Sequence, residues 1–260
     1  MNNEIKISII TPSYNQREFI EQTILSVLNQ TYKNIEYIIV DGGSTDNTLE
    51  IIDKYRDRID VVISEKDKGQ SDAINKGFKL ASGNLVGWIN SDDLLYSDCV
   101  ERIVELYHRH PDGSIYYPVV LDYIDREGKL LYESTRKIPN RNHLLNKNYG
   151  VIQQGSFYNR DLVKQIGYLD ESIYYCMDLD LWLRLLNEND KIYSCQSHAL
   201  AAFRMWEDTK TNQAGMRFVQ NTKQVLDSQG ARIFSYAKLH LFYMTCRIWG
   251  GQIKRRIMKK

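Results

Sequence analysis

Residues 5–95 alternate between short apolar runs and segments whose apolar side chains recur every three or four positions. Continuous apolar runs are typical of strands buried on both faces, whereas the recurring spacing is typical of amphipathic helices. The predicted strands are 5–11, 35–40, 60–64 and the run ending at Ile89, and the predicted helices are 18–29, 47–55 and 71–81. This order predicts an α/β fold with a parallel, right-handed wound sheet covered by helices on both faces.

The second half of the chain predicts a sheet of mixed direction, followed by a helical end. Residues 114–120 form another apolar run, and 122–134 alternates apolar and polar side chains around Glu127 and Gly128, which is typical of a hairpin. We expect a domain over 1–210, divided into halves 1–97 and 98–210, and a helical, basic C-terminal extension over 211–260.

Composition favours a globular protein of the cytosol. The chain is 43% hydrophobic and 26% charged, and its four cysteines are dispersed without a Cys-x-x-Cys pair, which argues against a zinc site or a disulfide framework. The N-terminus has no apolar signal core, and no stretch offers the roughly 18 consecutive apolar residues of a membrane span. We therefore expect a cytoplasmic protein.

Positive charge is concentrated at the C-terminal end. The net charge is +1, yet residues 228–260 contain eight Lys or Arg and no Asp or Glu, so the rest of the chain is net acidic. Aromatic and aliphatic side chains interleave with basic ones over 234–249, which predicts an amphipathic helix. Such a helix can lie on an anionic membrane surface, or its apolar face can pack on the domain or on a second subunit. Nucleic-acid binding is not expected, because no reading motif accompanies the basic residues.

Polar side chains cluster where the predicted strands end. These clusters are 12–15, 41–43, 65–69 and 90–93. Because the carboxyl ends of parallel strands meet at one edge of a sheet, we expect a single binding crevice there. Asp92 and Asp93 are well placed in it to hold a hard cation and a phosphorylated ligand, although they could also simply start the next helix. Asp98 and Glu101 form a better capping box for that helix.

Three common nucleotide-binding signatures are missing from the sequence. It has no dinucleotide G-x-G-x-x-G fingerprint, no P-loop and no glycine-rich N-terminal loop of the nucleotidyltransferase kind. The phosphates of a nucleotide would need another partner. A divalent ion on Asp93 is the natural substitute, since Mg²⁺ characteristically bridges one or two carboxylates to substrate phosphates.

Four motifs in register resemble the family 2 inverting glycosyltransferases of the GT-A fold. They are Thr11-Pro-Ser-Tyr-Asn15, Asp41-Gly-Gly-Ser-Thr-Asp46, Gly69-Gln-Ser-Asp-Ala-Ile-Asn-Lys-Gly77 and Trp88-Ile-Asn-Ser-Asp-Asp93. With a later segment around Asp178, the resemblance covers residues 5 to about 210. It implies a GT-A-like fold, a nucleotide-diphospho-sugar donor bound by 1–97, an acceptor bound by 98–210, and a divalent cation, Mn²⁺ or Mg²⁺, as cofactor.

The resemblance also implies roles for individual residues. The positions that bind the nucleotide sugar match Pro12, Tyr14, Asp41, Asp72 and Asp92. Of these, Asp92 matches the residue that faces the ribose, and Asp93 matches the metal ligand. Asn90 stands where the family often has Asp, so it is not expected to bind the metal.

The segment 174–184 carries the second chemical element. Asp178 falls at the start of a predicted helix, where a carboxylate can cap the helix and interact with its dipole. The segment also resembles the family's Glu-Asp motif, with Met177 in place of the Glu, and this implies that Asp178 is the general base. Asp180 and Arg184, four positions apart, predict a structural ion pair.

Two further segments resemble family regions near the leaving diphosphate and the acceptor. Residues 202–210 resemble the Phe-Arg-x-His loop, with Trp206 where His is common, so Arg204 or Lys210 would supply any positive charge to the leaving group. Gln154 precedes an apolar strand in a region that lies near the acceptor pocket in the family. A plain structural role for Gln154 is equally open.

These features together predict a metal-dependent, inverting glycosyltransferase of bacterial-type surface polysaccharide or glycan synthesis, with a glycan or lipid-linked acceptor. We expect a single transfer per encounter, because the sequence lacks the Gln-x-x-Arg-Trp motif and the membrane spans of the family's polymerases. A protein of this kind would be cytoplasmic and peripheral on the inner face of the plasma membrane. The alternative is a non-catalytic nucleotide-sugar-binding or scaffold protein with the same fold, and the presence of both key carboxylates favours the enzyme.

Overall fold

The computed structural model describes residues 4–196, 198–207, 209 and 215–257, with side chains as far as residue 248. The strands are β1 (Ile7–Ser13), β2 (Ile35–Asp41), β3 (Val61–Ser64), β4 (Leu85–Trp88), β5 (Leu94–Leu95), β6 (Ile115–Pro118), β7 (Val120–Ile124), β8 (Leu130–Thr135), β9 (Phe157–Asn159), β10 (Ile192–Cys195) and β11 (Ala201–Arg204). The helices are α1 (Ile20–Leu28), α2 (Thr48–Asp53), α3 (Gln70–Leu80), α4 (Cys99–Arg109), α5 (Arg141–Asn146), α6 (Arg160–Gln165), α7 (Met177–Glu188), α8 (Gly215–Ser228) and α9 (Tyr236–Ile257).

The main sheet has seven strands in the order β10-β6-β9-β4-β1-β2-β3. Its first half is parallel, as the alternation of strands and helices predicts, because β1 pairs in parallel with both β2 and β4, and β2 with β3. Strand β9 runs antiparallel between β4 and β6, which makes the second half mixed. The predicted α/β fold with a mixed second half and a helical C-terminal region is therefore confirmed.

Strand β1 runs two residues beyond its predicted end at Thr11, through Pro12 to Ser13. The carbonyl of Ile10 accepts from Ile89 on one side, and that of Ser13 accepts from Gly42 on the other. Alternation along the strand thus points the nitrogen of Pro12, which carries no hydrogen, to the side where pairing with β4 has already ended. A proline in a central strand is tolerated here because that side is locally an edge.

A second sheet has four strands in the order β5-β11-β7-β8. The predicted hairpin is β7 and β8, whose antiparallel pair turns at Gly128 with a φ of 90°. The apolar run 114–120 does not form one strand, because it divides at Val119 between the main sheet and the second sheet.

The apolar faces of the helices cover the main sheet as their spacing predicts. Ile20 and Ile24 of α1 and Ile74 of α3 are fully buried. The ion pair predicted between Asp180 and Arg184 is present at 2.7 Å on α7. The prediction of a capping box at the start of α4 is wrong, however.

The side chain of Asp98 makes no cap hydrogen bond to α4. It binds Arg102 at 3.2 Å and the His198 ring at 3.1 Å instead. Glu101, the other half of the predicted box, accepts from the Thr31 hydroxyl. Each of the two carboxylates thus has a partner distant in sequence, His198 or Thr31, in place of the predicted local arrangement.

One face of the C-terminal helices packs on the domain. Val225 and Leu226 of α8 and Ala237 of α9 are buried, and Lys238 of α9 pairs with Asp227 of α8. Several large apolar side chains of this region are exposed: Ile233, Phe234, Tyr236, Leu239, Phe242 and Tyr243. Within the described residues, no helix combines the length and the apolar character needed to cross a membrane. The domain boundary at residue 210 stays a prediction.

Candidate active site

A cleft of about 520 Å³, hereafter the main cleft, opens at the carboxyl ends of β1 and β4. The end of β1 supplies Pro12 and Tyr14, and the loop after β4 supplies Asp92. Asp178 at the start of α7 and Gln154 also line this cleft. Residues far apart in the sequence and predicted to act together thus share one cavity.

Asp93, the predicted metal ligand, does not line the main cleft. Its side chain is fully buried, and one oxygen accepts from the backbone N–H of Arg204 at 2.9 Å. The other oxygen accepts from the side-chain amides of Asn90 at 3.0 Å and Gln154 at 2.8 Å. Burial, with the neighbouring charge of Asp92, raises the pKa of Asp93 to about 8. Asp93 is the anchor of the loop beneath the cleft.

Asp92 is the member of the pair that faces the cavity. Its Oδ2 accepts from the indole N–H of Trp206 at 3.0 Å, and burial raises the pKa of this carboxyl. The indole is held in turn by the ring of Phe19, at 5.0 Å between centroids, and lies near the guanidinium of Arg126. Since a carboxylate has about four acceptor sites, Asp92 can still bind a cation.

Arg204 is not available to a leaving group, contrary to the prediction. It is completely buried and does not line the main cleft. Its side chain donates to the carbonyl oxygens of Asp92, Asp125 and Arg126 and to the side-chain oxygen of Gln22. Burial lowers the pKa of Arg204, although the nearby carboxylates oppose that shift. Arg204 holds the 92–93 loop in place, and Lys210, the other candidate, lies outside the described residues.

Asp41 also faces away from the main cleft. Its buried carboxylate accepts from the backbone N–H groups of Gly43 and Ser44, and from the hydroxyls of Ser44 and Ser64. These donors satisfy both oxygens, and the side chain does not line the cavity. The direct nucleotide contact predicted for Asp41 is therefore replaced by a supporting role for the turn at 42–44.

Asp72 likewise interacts with residues close to it in the sequence. Its carboxylate accepts from the N–H of Lys68 at 3.0 Å and pairs with Lys76 at 3.5 Å, and it does not line the cavity.

Asp67, which sequence reasoning missed, does line the main cleft. A side chain at position 42 would overlap the Asp67 carboxylate and force it to move, so the glycine allows Asp67 its present position. The signal for Asp67 was its place in the polar rim after β3.

A chain of side-chain amides forms the floor of the main cleft. Gln70 donates to Asn90 at 2.9 Å, and Asn90 and Gln154 both donate to Asp93. Gln153 donates to the carbonyl oxygen of Trp88 at 2.7 Å. Gln154 therefore has a structural role, and it also lies on the cavity wall.

Asp178 is the second residue of α7 and not its N-cap. The N-cap is Cys176, with a φ of 60°, and it makes no side-chain cap bond. This left-handed conformation is uncommon for a residue with a side chain, and helix α8 contributes to holding it. Thr222 lies 3.0 Å from the Cys176 sulfur, and Asn221 accepts from the N–H of Tyr175 at 3.1 Å. Geometry thus does not support the N-cap alternative for Asp178.

The position of the family's Glu is occupied by a buried methionine. Met177 lines the main cleft, and its sulfur lies 2.9 Å from the hydroxyl of Ser71 on α3. A thioether accepts hydrogen bonds only weakly and carries no charge. The site therefore has one carboxylate at the start of α7 where the family motif has two.

Three buried polar atoms of the described residues have no hydrogen-bond partner, and all belong to residues that line the main cleft. They are the hydroxyl of Ser13, the side-chain oxygen of Gln16 and the indole N–H of Trp88. Ser13 and Trp88 are only 4% and 3% exposed. Because an unpaired buried polar group costs about 1–3 kcal/mol, these atoms are suited to receive the polar groups of a ligand.

The charges of the main cleft indicate how it could hold a metal. Among its described lining residues three are acidic, Asp67, Asp92 and Asp178, and none is basic. No group of three His, Cys, Asp or Glu side chains within the described ranges is arranged to bind a metal by itself. A divalent cation that is bound through one or two carboxylates and completed by substrate phosphates fits this wall.

The sequence matches the model of glycosyl transferase family 2 over residues 8–167. This match covers more than half of the chain, and the chain belongs to that family.

Among curated relatives, an uncharacterised glycosyltransferase of Nostoc sp. is 28% identical, over 91% of this chain and 79% of its own length. The putative teichuronic acid biosynthesis glycosyltransferase TuaG of Bacillus subtilis is 43% identical, over 38% of this chain and 40% of its own length. For several of the other relatives the matched region is also less than two thirds of the relative's length.

Solved structures that share the fold include the following two. S. aureus TarS in complex with UDP-GlcNAc superposes with a TM-score of 0.68 at 18% identity, covering 94% of this chain and 71% of that one. The mannosyltransferase PcManGT from Pyrobaculum calidifontis, in complex with GDP-Man and Mn²⁺, gives a TM-score of 0.69 at 17% identity, with 92% and 70% covered. At this identity the likeness concerns the fold alone.

Proposed function

We propose that this protein is an inverting glycosyltransferase that moves a sugar from a nucleotide-diphospho-sugar to an acceptor hydroxyl, in bacterial-type surface polysaccharide or glycan synthesis. One observation carries the proposal. The main cleft brings Asp92 and Asp178, 86 positions apart in the chain, onto one cavity that also holds three unpartnered polar atoms. Two structural neighbours were solved in complex with nucleotide sugars, and TuaG is named for teichuronic acid biosynthesis.

In the proposed reaction, Pro12 and Tyr14 at the end of β1 contact the nucleotide, and Asp92 lies near its ribose and diphosphate. Asp178 accepts the proton of the attacking hydroxyl, and a positioned base contributes roughly 10²–10⁴-fold. A single in-line displacement inverts the configuration at the anomeric carbon.

We assign the metal site to Asp92 instead of Asp93. Every charged side chain among the described lining residues of the main cleft is acidic, so a diphosphate bound there requires a cation to balance its charge. Mn²⁺ or Mg²⁺ bound by Asp92 would neutralise negative charge on the departing diphosphate. Asp93 acts by holding the loop that carries Asp92.

Calorimetry with UDP and GDP, with and without Mn²⁺, tests this assignment. Asp92→Asn should weaken Mn²⁺-assisted binding of the preferred nucleoside diphosphate at least tenfold, since an amide is a poorer ligand for a hard cation. Asp67→Asn is the matched control on the same cavity and should change that binding less. If Asp92→Asn binds with the wild-type Mn²⁺ dependence, the metal assignment is wrong.

A failure of all nucleoside diphosphates to bind would overturn the proposed function itself. Tight binding without transfer to any acceptor would instead favour the non-catalytic binding protein of the same fold. Both outcomes are separated by running the calorimetry and a nucleotide-release assay on the same preparation.

The C-terminal region supports a second element of the proposal, association with the inner face of the plasma membrane. The side chains of Phe234, Tyr236, Leu239 and Phe242 are exposed, and residues 228–260 contain eight Lys or Arg and no Asp or Glu in the sequence. Each basic residue near an anionic leaflet contributes on the order of 1 kcal/mol. A lipid-linked acceptor would lie at the same surface, and transfer there would be non-processive.

A further inference from the structure

A second cleft of about 510 Å³ adjoins the main cleft. The segment between β8 and α6 supplies one of its sides, with Arg136, Lys147 and Tyr149. The start of helix α9 supplies the other, with Tyr236 and His240. The C-terminal helix is therefore part of the wall of a cavity and not only an appendage.

Asp178 lies between the two cavities. It lines both the main cleft and the second cleft, together with Val151, Cys176 and Phe218. A base that takes a proton from an acceptor must contact the acceptor on one side while the donor lies on the other. The second cleft is the neighbouring space that satisfies this condition.

The two clefts differ in the sign of their charged side chains. The second cleft carries the cations Arg136 and Lys147, and Asp178 is the single acidic residue among its described lining positions. Neither cation has an ion-pair partner in the described part of the chain. One N–H of Arg136 donates to the carbonyl oxygen of Val151 at 3.1 Å, and a guanidinium has four further N–H groups to offer.

Some cations elsewhere in the described residues are neutralised by acidic partners. Lys76 pairs with Glu65 and Asp72, and Arg184 pairs with Asp180. Two cations left unpaired beside one carboxylate give the second cleft a net positive field, which attracts anions. The guanidinium fork of Arg136 matches a carboxylate or a phosphate in geometry.

Aromatic side chains supply the apolar part of the second cleft. The hydroxyl of Tyr149 lies 2.9 Å from the His240 ring, so the loop before β9 and helix α9 are tied together across the cavity. The ring of Tyr236 is largely exposed on the same wall. Rings of this kind offer a flat apolar surface with a polar tip, which suits the faces of a sugar.

We propose that the second cleft binds the acceptor, and that the acceptor is an anionic glycan bearing a carboxylate or a phosphate close to the hydroxyl that is glycosylated. This inference rests on the proposed function. Arg136 and Lys147 bind the anionic group, and the hydroxyl points to Asp178. The acceptor oxygen then bonds to the anomeric carbon, the bond from that carbon to the diphosphate oxygen breaks, the nucleoside diphosphate leaves with the electron pair, and Asp178 takes the proton.

Binding of matched oligosaccharides tests the proposal directly. The probes are a glucuronate-terminated oligosaccharide, its glucose-terminated neutral counterpart and a glycerol-phosphate oligomer, titrated by calorimetry in the presence of Mn²⁺ with UDP or GDP. We expect at least one anionic probe to bind about tenfold more tightly than the neutral one, with a preference that falls as salt is raised. Which anionic probe binds identifies the group as carboxylate or phosphate.

Variants locate the preference in the second cleft. Arg136→Gln and Lys147→Gln should each weaken the anionic probe about five- to tenfold and leave the neutral probe unchanged. Arg136→Lys should retain part of the affinity, because it keeps the charge and loses the fork. Lys137→Gln is the matched control, since Lys137 is exposed and lines neither cleft.

Equal binding of neutral and anionic probes, or an anionic preference that survives both glutamine variants, would overturn this inference. Nucleoside diphosphate binding by the same variants should be unchanged, which keeps this test separate from the proposed function. If nucleoside diphosphates fail to bind the unmodified protein, the failure belongs to the proposed function and not to the charge of the acceptor.

Discussion

The main cleft and the second cleft share a wall but are built in different ways. The main cleft rests on strand ends and on a buried floor in which Asp93, Arg204 and Gln154 are bonded to one another or to the adjoining backbone. The second cleft lies among loops and helix ends, and its cations Arg136 and Lys147 have no acidic partners within the described residues. The first arrangement fixes geometry, and the second leaves charge available to a ligand.

This difference separates two tasks of the proposed reaction. Placing a diphosphate against a cation requires a rigid loop, because catalysis depends on the position of charges in the transition state. Choosing an acceptor requires side chains that can be exchanged without disturbing the fold. Asp178, on the shared wall, belongs to both regions.

Removing the base should have the largest effect on turnover. Asp178→Asn keeps the shape of the side chain and loses its ability to accept a proton, so kcat should fall about 10²–10⁴-fold while nucleoside diphosphate affinity stays near normal. Glu188→Gln, at the other end of α7, is the control and should retain full turnover. Normal turnover in Asp178→Asn on the true acceptor would refute the assignment of the base.

Breaking the floor of the main cleft should have the largest effect on stability. Arg204→Met removes the donors to three carbonyl oxygens and leaves buried acceptors unpaired, so the free energy of unfolding should drop by about 3–5 kcal/mol in urea denaturation. Arg102→Met removes the surface ion pairs with Asp98 and Glu105 and should cost less than about 1 kcal/mol. Similar costs for the two variants would mean that Arg204 does not hold the loop.

Removing a contact between α8 and the start of α7 should have a smaller effect on stability and turnover. Thr222→Val removes the hydroxyl that contacts the Cys176 sulfur, and it should lower the free energy of unfolding by about 1 kcal/mol. If α8 positions the base, kcat should fall several-fold with unchanged nucleoside diphosphate affinity. Thr245→Val on α9, whose hydroxyl bonds only within its own helix, is the comparison variant. Equal kcat values in both variants would mean that α8 does not position the base.

The smallest effect concerns the exposed surface of the C-terminal region. In flotation with vesicles containing anionic lipid at low salt, the full-length protein should float, and the double variant Phe234→Ser/Phe242→Ser should float less. Leu130→Ser/Leu131→Ser removes exposed apolar side chains from β8 and serves as the control. Absence of flotation by the unmodified protein would end the membrane proposal, and nucleoside diphosphate binding should be the same in all forms.

Much of the candidate site follows from local sequence patterns. Apolar runs and helical spacing place the strands of the first half, and polar residues after those strands place the rim that contains Pro12, Tyr14 and Asp92. The helical pattern after residue 178 likewise predicts that Asp178 lies at the start of a helix. These inferences hold because the periods of strands and helices depend on neighbours in the chain.

Only the tertiary structure decided which of two adjacent carboxylates faces the cavity. Asp92 and Asp93 have the same side chain and nearly the same position in the sequence, but the backbone N–H of Arg204, 111 positions from Asp93, holds Asp93 beneath the cleft, and Arg204 is itself buried. Asp41 is turned inward in the same way by Ser44 and Ser64. By itself the sequence determined the elements and the edge of the sheet where polar groups gather. The direction in which each carboxylate points depended on partners that folding brings close, and the local pattern of apolar and polar residues carries no information about those partners.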